Sequence, residues 1–312
     1  MAAKLPSAAQ VQKSAIVIDT HADTPQRLVD EGFDLADPLN GGNLNLVSVR
    51  KGGLSAEFFS IWVEPAIYQG QYARRTLELI DAVKLQVALH SDQMVLVATP
   101  KGIEVAHRAH KFAALMGIEG GHSIENSIAL LRQYYALGVR YMTLTWSNSN
   151  GWADSSGDID DQSVPHTKEG LTVFGTNVVH EMNRLGMMVD ISHVADHTFY
   201  RTQAISRAPV IASHSASRAL CNHPRNMTDD MLVAVAKSGG RHSKGGVVHV
   251  NFFSGFVSQS YWDVMKALKP QVDKAVNDAQ EKAKAEGREF THAEKQEIRR
   301  SFMDGIPRPP LS

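Results

Sequence analysis

Five side chains in this 312-residue sequence have the type and position to hold metal ions: His21, Asp23, Glu119, His193 and His214. Each closes an apolar run of strand character. Ile16-Val17-Ile18 leads into Asp19-Thr20-His21-Ala22-Asp23, and Phe112 to Glu119 ends in its carboxylate before Gly120-Gly121. Met187 to Ile191 runs into Ser192-His193, and Pro209 to Ser213 runs into His214. Strand side chains alternate, so His21 and Asp23, two apart, face the same way. Taken singly, each has a plainer reading. A histidine after a strand can bond to backbone, and Glu119 can cap the next helix. Recurrence at one kind of position favours ligands, because the carboxyl ends of parallel strands form the functional face of α/β folds.

Imidazole and carboxylate suit zinc or a similar divalent ion. Five groups exceed the three of a simple catalytic zinc and suffice for two ions. His21 and Asp23 would take one, His193 and His214 the other, and Glu119 would bridge. A dinuclear centre can share a hydroxide and polarise a carbonyl or phosphoryl oxygen, which predicts hydrolysis.

The elements that must position these groups alternate. Strand candidates at Leu54 to Val63, Val139 to Trp146 and Val247 to Phe253 join the four above, with a minor one at Met94 to Ala98. Helical stretches lie between them, as at Gln71 to His90, where Leu77, Ile80, Val83 and Val87 follow the three-and-four spacing. Strand and helix in alternation imply a parallel sheet covered by helices. Ser147 to Gly170 is a long polar loop of the kind that usually carries function. Ser238 to Gly246 is a Gly-Gly turn with a polar insert. Beyond Ser258 the residues are mostly Lys, Glu, Ala and Gln, which predicts solvated helix through Arg300. The whole is expected to be one domain, 1–312, with 259–312 a helical insertion or extension.

A net charge of -1 and 43% hydrophobic residues give no sign of nucleic acid or an acidic membrane surface as partner. One cysteine, Cys221, excludes both an intrachain disulfide and a thiolate cluster. There is neither a signal-like apolar core near the N-terminus nor an apolar run of about 18 residues. Cytoplasm, or periplasm with a leader removed, would both fit. Of the fourteen histidines, His122 in the Gly-rich loop is the additional site candidate, and His249 would alternate inside a strand. His90, His107, His110, His180 and His197 fall in helices or at their ends and read as surface or packing residues. Gly117 to Gly121 lacks the ending of a phosphate loop, and no Gly-x-Ser-x-Gly elbow occurs. Asp158 to Asp161 lacks calcium-loop spacing and reads as a solvated turn.

Several stretches together resemble the membrane (renal-type) dipeptidase family, zinc dipeptidases of the amidohydrolase-like superfamily. They are Ile18 to Asp23, Gly117 to Gly120, Tyr141 to Thr145 with Trp152-Ala153-Asp154, Val189 to His193, Ser213 to Ser215, and Arg225-Asn226. The resemblance runs in family order from about Ile16 to Phe253. It implies a (β/α)8 TIM-type barrel, two zinc ions per subunit bridged by Glu119, and a dipeptide substrate whose carboxylate meets Arg225. A homodimer is compatible with the sequence, which leaves the oligomeric state open. Two departures stand out. Trp146 occupies a place where many members carry a substrate-contacting histidine, so either His122 or a loop group substitutes, or turnover and specificity differ. The late Gly-Asp-Phe-Asp-Gly type strand, whose aspartate handles protons, is absent, so the barrel is expected to lack its last strand and helix. The function expected is zinc-dependent dipeptide hydrolysis by a metal-bridging hydroxide. The alternatives are another dinuclear hydrolase, acting on a phosphoester or cyclic amide, and a non-catalytic metal-binding remnant.

Overall fold

A computed structural model describes residues 5–38, 42–240 and 243–308. The class is α/β with parallel strands, as the alternation predicts and as a (β/α) barrel requires. Among the described residues there are eight strands. They are β1 (Ile18–Ala22), β2 (Ala56–Trp62), β3 (Met94–Leu96), β4 (Phe112–Glu119), β5 (Val139–Thr143), β6 (Met188–Asp190), β7 (Val210–Ser215) and β8 (Val247–Val250). The chain divides into two compact units. The first comprises Met1–Val63, Tyr72–Thr143 and Glu181–Val189, and the second Glu64–Gln71, Leu144–His180 and Asp190–Ser312.

In the first unit β1 pairs with β2, β2 with β4 and β4 with β5, all parallel, and the minor β3 pairs with β4. Every residue of β2 and β4 is buried. That is why these segments read as unbroken apolar runs: a parallel strand covered on both faces has no solvent side to alternate with. The connection expected across 32–53 contains a helix, Leu46–Gly52. A reciprocal cap starts it, Asn45 and Ser48 each bonding the other's backbone N–H, and Gly53 ends it in the left-handed region.

The helix Ile128–Ala136 presents Arg132 to Glu181. Arg184 also donates to Glu181 through Nε (2.7 Å) and Nη2 (2.8 Å). Hydrogen bonds from Arg184 and then Arg132 lower the Glu181 carboxyl to a pKa of about 2. A folded value below the ordinary carboxylate value stabilises the fold above about pH 4.3 and ceases to do so as the pH falls toward 2. Both arginines are more than half exposed, so solvent screening cuts the effect to about 1 kcal/mol. Glu181→Gln is therefore expected to lower the urea midpoint at pH 7 and to leave it unchanged at pH 2. An equal loss at both would mean packing, not charge.

In the second unit Leu144, the residue after β5, donates to the Asp190 carbonyl (3.3 Å), Ile191 donates to Ile211 (2.8 Å), and β7 pairs with β8 in parallel. Gly246 carries the chain into β8 so close to the Val210 carbonyl that a Cβ there would lie 1.9 Å from it. The insert before it is held at Ser238, whose hydroxyl donates to Val235 and accepts from the Val210 N–H. Arg241 and His242 lie outside the described residues. His249 lies in β8 and is half-buried.

The lysine- and glutamate-rich stretch is helical, Gln259–Ala285 and His292–Met303, but it is not held by solvent alone. Val276, Ala283 and Phe290 form a small core with Val272, Ala279 and Ile298. Lys295 also reaches Glu64 at 2.9 Å in a largely buried ion pair. Spaced singly among charges, these anchors made little periodic signal. Among the described residues no helix is long and apolar enough to cross a membrane.

Candidate metal centre

In the first unit, β1 ends by turning His21 and Asp23 the same way: His21 Nε2 lies 3.5 Å from Asp23 Oδ1 and 3.3 Å from Glu119 Oε2. Asp23 stands at the N-cap of the helix Thr24–Asp30, yet its side chain makes no capping bond. It faces the histidine instead. Glu119, 3% exposed at the end of β4, also accepts from Ser60 Oγ (3.2 Å).

The orientation of His21 follows from its other nitrogen. Tyr141 donates its phenolic hydrogen to the Thr20 carbonyl (2.9 Å), so at 3.2 Å its oxygen can only accept from His21 Nδ1–H. Nε2 is thereby left to face the two carboxylates, the arrangement expected of a metal-binding imidazole with an outer partner. Tyr141 reaches this place because its register neighbour in β4 is Gly117. A Cβ on Gly117 would meet the tyrosine ring at 2.0 Å. Glycine within a strand signals such close approach, and this was the one mark in the sequence pointing to Tyr141 as the partner of His21.

Burial by itself would lower the pKa of His21, but the Glu119 charge and the hydrogen bonds to Asp23 and Glu119 outweigh it and hold the value well above the usual one. Two carboxylates around one nitrogen thus favour a cation between them. Glu57, paired in register with Asp19, was not singled out from the sequence. Burial, reinforced by Asp19, raises its carboxyl well above the ordinary range, and neither oxygen has a hydrogen-bond partner among the described residues.

The second unit repeats this logic with a carboxylate at its base. Asp190, fully buried at the end of β6, accepts through Oδ1 from Ser192 N (3.1 Å), Ser192 Oγ (2.9 Å) and Ser213 N (2.9 Å), and through Oδ2 from Ser213 Oγ (2.6 Å). With both hydroxyl hydrogens committed, the serine oxygens can only accept. Ser192 Oγ takes His214 N–H (3.1 Å), and Ser213 Oγ takes His214 Nδ1–H (2.9 Å). Nε2 of His214 is left with a lone pair and lies 3.0 Å from His193 Nε2. Two nitrogens on one zinc sit roughly 3.3 Å apart, so the pair fits a shared cation.

His193 holds a left-handed backbone, φ +68°, which costs a non-glycine residue about 1–2 kcal/mol. The loop after β5 secures it: Ser156 donates to the His193 carbonyl through both N (2.8 Å) and Oγ (2.9 Å). Asp154, fully buried, pins that loop by accepting from Thr167 N and from His197 Nε2 (2.7 Å). The polar loop is thus an ordered support. Asp158 belongs to the same framework, accepting from Ser149 N and Ser149 Oγ at 2.6 Å each. The half-buried Trp146 ring lies 6.3 Å from that of His193, inclined at 35°.

Arg225, 8% exposed, extends Nη2 to the His214 carbonyl (3.1 Å), and its guanidinium carbon lies 5.3 Å from the Phe256 ring. Its backbone N donates to His223 Nδ1 (2.9 Å). Burial, Arg225 and Arg218 push His223 down to a pKa of about 4, so that ring is neutral at physiological pH and does not repel the guanidinium. His122 is buried in the single turn Gly121–Ile124, where Nε2 donates to the Val63 carbonyl (2.8 Å) and the ring meets Tyr72 edge-on at 5.0 Å.

Comparison with known proteins gives a consistent picture. Residues 5–295 match the family described as membrane dipeptidase (peptidase family M19). Dipeptidase 3 of Homo sapiens is 38% identical over 235 residues, covering 74% of this chain and 47% of that protein. A dipeptidase of Schizosaccharomyces pombe is 36% identical over 266 residues, 80% of this chain and 62% of that one. The chain spans about half the length of the dipeptidase 3 sequences it matches. Among solved structures, the probable dipeptidase PvdM from Pseudomonas aeruginosa shares the fold with a TM-score of 0.73 at 24% identity, over 85% of this chain and 68% of that one. A metallo peptidase from Rhodobacter sphaeroides, liganded with a phosphinate mimic of the dipeptide L-Ala-D-Ala, aligns with a TM-score of 0.65 at 25% identity, over 78% and 76% of the two chains.

Proposed function

The chain belongs to the membrane dipeptidase family, peptidase family M19, and from that premise we propose that it hydrolyses dipeptides with two zinc ions. One ion would be held by His21, Asp23 and Glu119, the other by Glu119, His193 and His214. The observation that carries the reading is the shared tautomer of His21 and His214. Each gives Nδ1–H to a hydroxyl oxygen whose own hydrogen is committed elsewhere, which keeps Nε2 available to a metal. Ions bound there would supply Lewis acidity toward the scissile carbonyl and the attacking water.

The remaining work falls to this chain's own groups. Arg225, already fixed by His214 and Phe256, binds the free carboxylate of the substrate, a task for which a guanidinium fork suits better than an ammonium. Trp146 beside His193 forms a wall against the substrate and can donate one hydrogen bond but cannot accept a proton. His122 supports the loop after Glu119 through its bond to Val63. A single cation placed to take a terminal carboxylate sets the distance to the cleaved bond and so selects the last peptide bond of the substrate. The phosphinate dipeptide mimic bound by the Rhodobacter sphaeroides enzyme is of this substrate class.

The test is to measure zinc per chain and to assay L-Ala-L-Ala, L-Ala-D-Ala and their C-terminal amides. Free dipeptides are expected to turn over and the amides to lose about 10²-fold or more in kcat/KM, the worth of a buried charge-assisted pair. Loss of that discrimination in Arg225→Ala, mainly through KM for the free dipeptides, would assign it to the guanidinium. Zinc binding with no hydrolysis of any dipeptide would sink the proposal.

A further inference from the structure

A cavity lies within the first unit, around the residues where β2 and β4 begin, at the opposite end of these strands from Glu119. Ser55 immediately precedes β2 and Phe112 opens β4, so about 23 Å of strand separates this cavity from the candidate metal ligand. Its volume is about 290 Å³, at the lower end of the range for small-molecule sites.

The lining is chemically one-sided. Lys13, Arg50, Lys111, His107 and His110 contribute to it, and among the described residues no Asp or Glu does. Among the described residues none of the three cations Lys13, Arg50 and Lys111 forms an ion pair. Arg50 donates to the neutral Gln93 (2.6 Å) and Lys111 to the Ser91 carbonyl (2.6 Å). Leu46, Val49, Leu54 and Phe112 supply an apolar floor.

Two features show construction at this place. Ser55 Oγ accepts from Val17 N (3.2 Å) and also bonds His107 Nδ1 at 3.1 Å, which fixes the orientation of that ring. His110 stands just past the helix Pro100–Arg108 with φ +54°. The Lys111 N–H closes back on the Ala106 carbonyl (2.9 Å) in the manner of a glycine-ended helix. Histidine at that left-handed position is strained where glycine would not be. The strained residue and the lysine after it both line the cavity.

We propose that this cavity is an accessory site for a small organic phosphate, its phosphate held by Arg50, Lys111 and the two histidines and its apolar body lying on Leu46, Val49 and Phe112. The site is separate from the dipeptide reading and does not depend on it. A ligand bound across the beginnings of two strands would act on stability, since that end of a (β/α) barrel serves the fold rather than the chemistry.

Phenyl phosphate is the probe, titrated calorimetrically into the zinc-loaded protein, with inorganic phosphate and phenol as separate arms. Saturable 1:1 binding of phenyl phosphate is expected, at least about tenfold tighter than either fragment, with a rise in melting temperature. The double variant Arg50→Gln, Lys111→Gln is expected to weaken binding about tenfold or more without changing dipeptide turnover, and Arg50→Lys, Lys111→Arg to retain most of it. Should the Gln variant fold poorly, the charge-conserving one still decides through its agreement with wild type, alongside a Val49→Trp variant that fills the floor and should block the probe. Phenol binding as well as phenyl phosphate, or affinity unchanged in both the Gln and the Trp variants, would overturn the site.

Discussion

Glu119→Gln is expected to reduce turnover by about 10³-fold or more and to weaken zinc at both positions together. The substitution preserves size and can still accept from Ser60 Oγ, which bonds Glu119 at 3.2 Å. What it removes is one negative charge and the ability to offer two equivalent anionic oxygens. A bridging carboxylate serves two ions, and losing several kcal/mol of stabilisation corresponds to three or more orders of magnitude in rate. Zinc content measured by atomic emission over a range of chelator strengths checks it. If one ion is lost and the other is held as in the wild type, the bridging assignment is wrong. A further readout needs neither zinc nor substrate. Glu119 is the leading charge that holds His21 above its usual pKa, so in the metal-free protein the His21 resonance should titrate at lower pH in the variant. An unchanged titration would mean that the two side chains are not coupled as their 3.3 Å separation implies.

Asp190→Asn is expected to cost about 3–5 kcal/mol of stability and to loosen the zinc that we assign to His193 and His214. Asp190 acts on His214 through the two serine hydroxyls that it orders and on which that imidazole rests. An amide can accept through one oxygen only: with that oxygen keeping Ser192 N, Ser192 Oγ and Ser213 N, its NH2 takes the place of Oδ2 and confronts the Ser213 hydroxyl hydrogen. Relieving that conflict frees the Ser213 hydroxyl to turn toward His214 Nδ1, which would then accept instead of donate. The tautomer reverses and Nε2 gains a hydrogen where a lone pair is needed. Denaturant unfolding checks the first effect. The second is read as zinc affinity falling by about 10–100-fold, the usual size for loss of an outer partner. A variant that loses stability but binds zinc as tightly as wild type would show that Asp190 supports the fold alone.

Much of the candidate site was legible because ligand placement in a parallel α/β chain is a local property. A buried strand announces itself as an apolar run, its end is marked by the first polar residues, and period-two alternation decides which of them share a face. His21 with Asp23, Glu119, His193 and His214 all stood out on these grounds, and Glu119 indeed ends β4 while His214 lies next to the last residue of β7. The strands themselves were legible for the same reason, down to the minor β3. The short helix Leu46–Gly52 was not, since seven residues carry too little period to register and its evidence lay in the Asn45–Ser48 cap.

What only the tertiary structure decided is how those ligands are aimed. Tyr141 lies 120 residues from the imidazole it orients, and nothing in either segment pairs them apart from a glycine whose missing Cβ makes room for the ring. Asp190, Ser192 and Ser213 could be read as polar strand ends, but their order of proton donation exists only once β6 and β7 deliver them to each other. The same holds for the cationic cavity, assembled from four stretches between Gln12 and Phe112 that carry no motif. The sequence by itself determined which atoms are able to bind metal, because that depends on residue type and strand period. Which nitrogen faces the ion, and with what charge around it, depends on contacts between segments far apart in the chain, and these are set by packing.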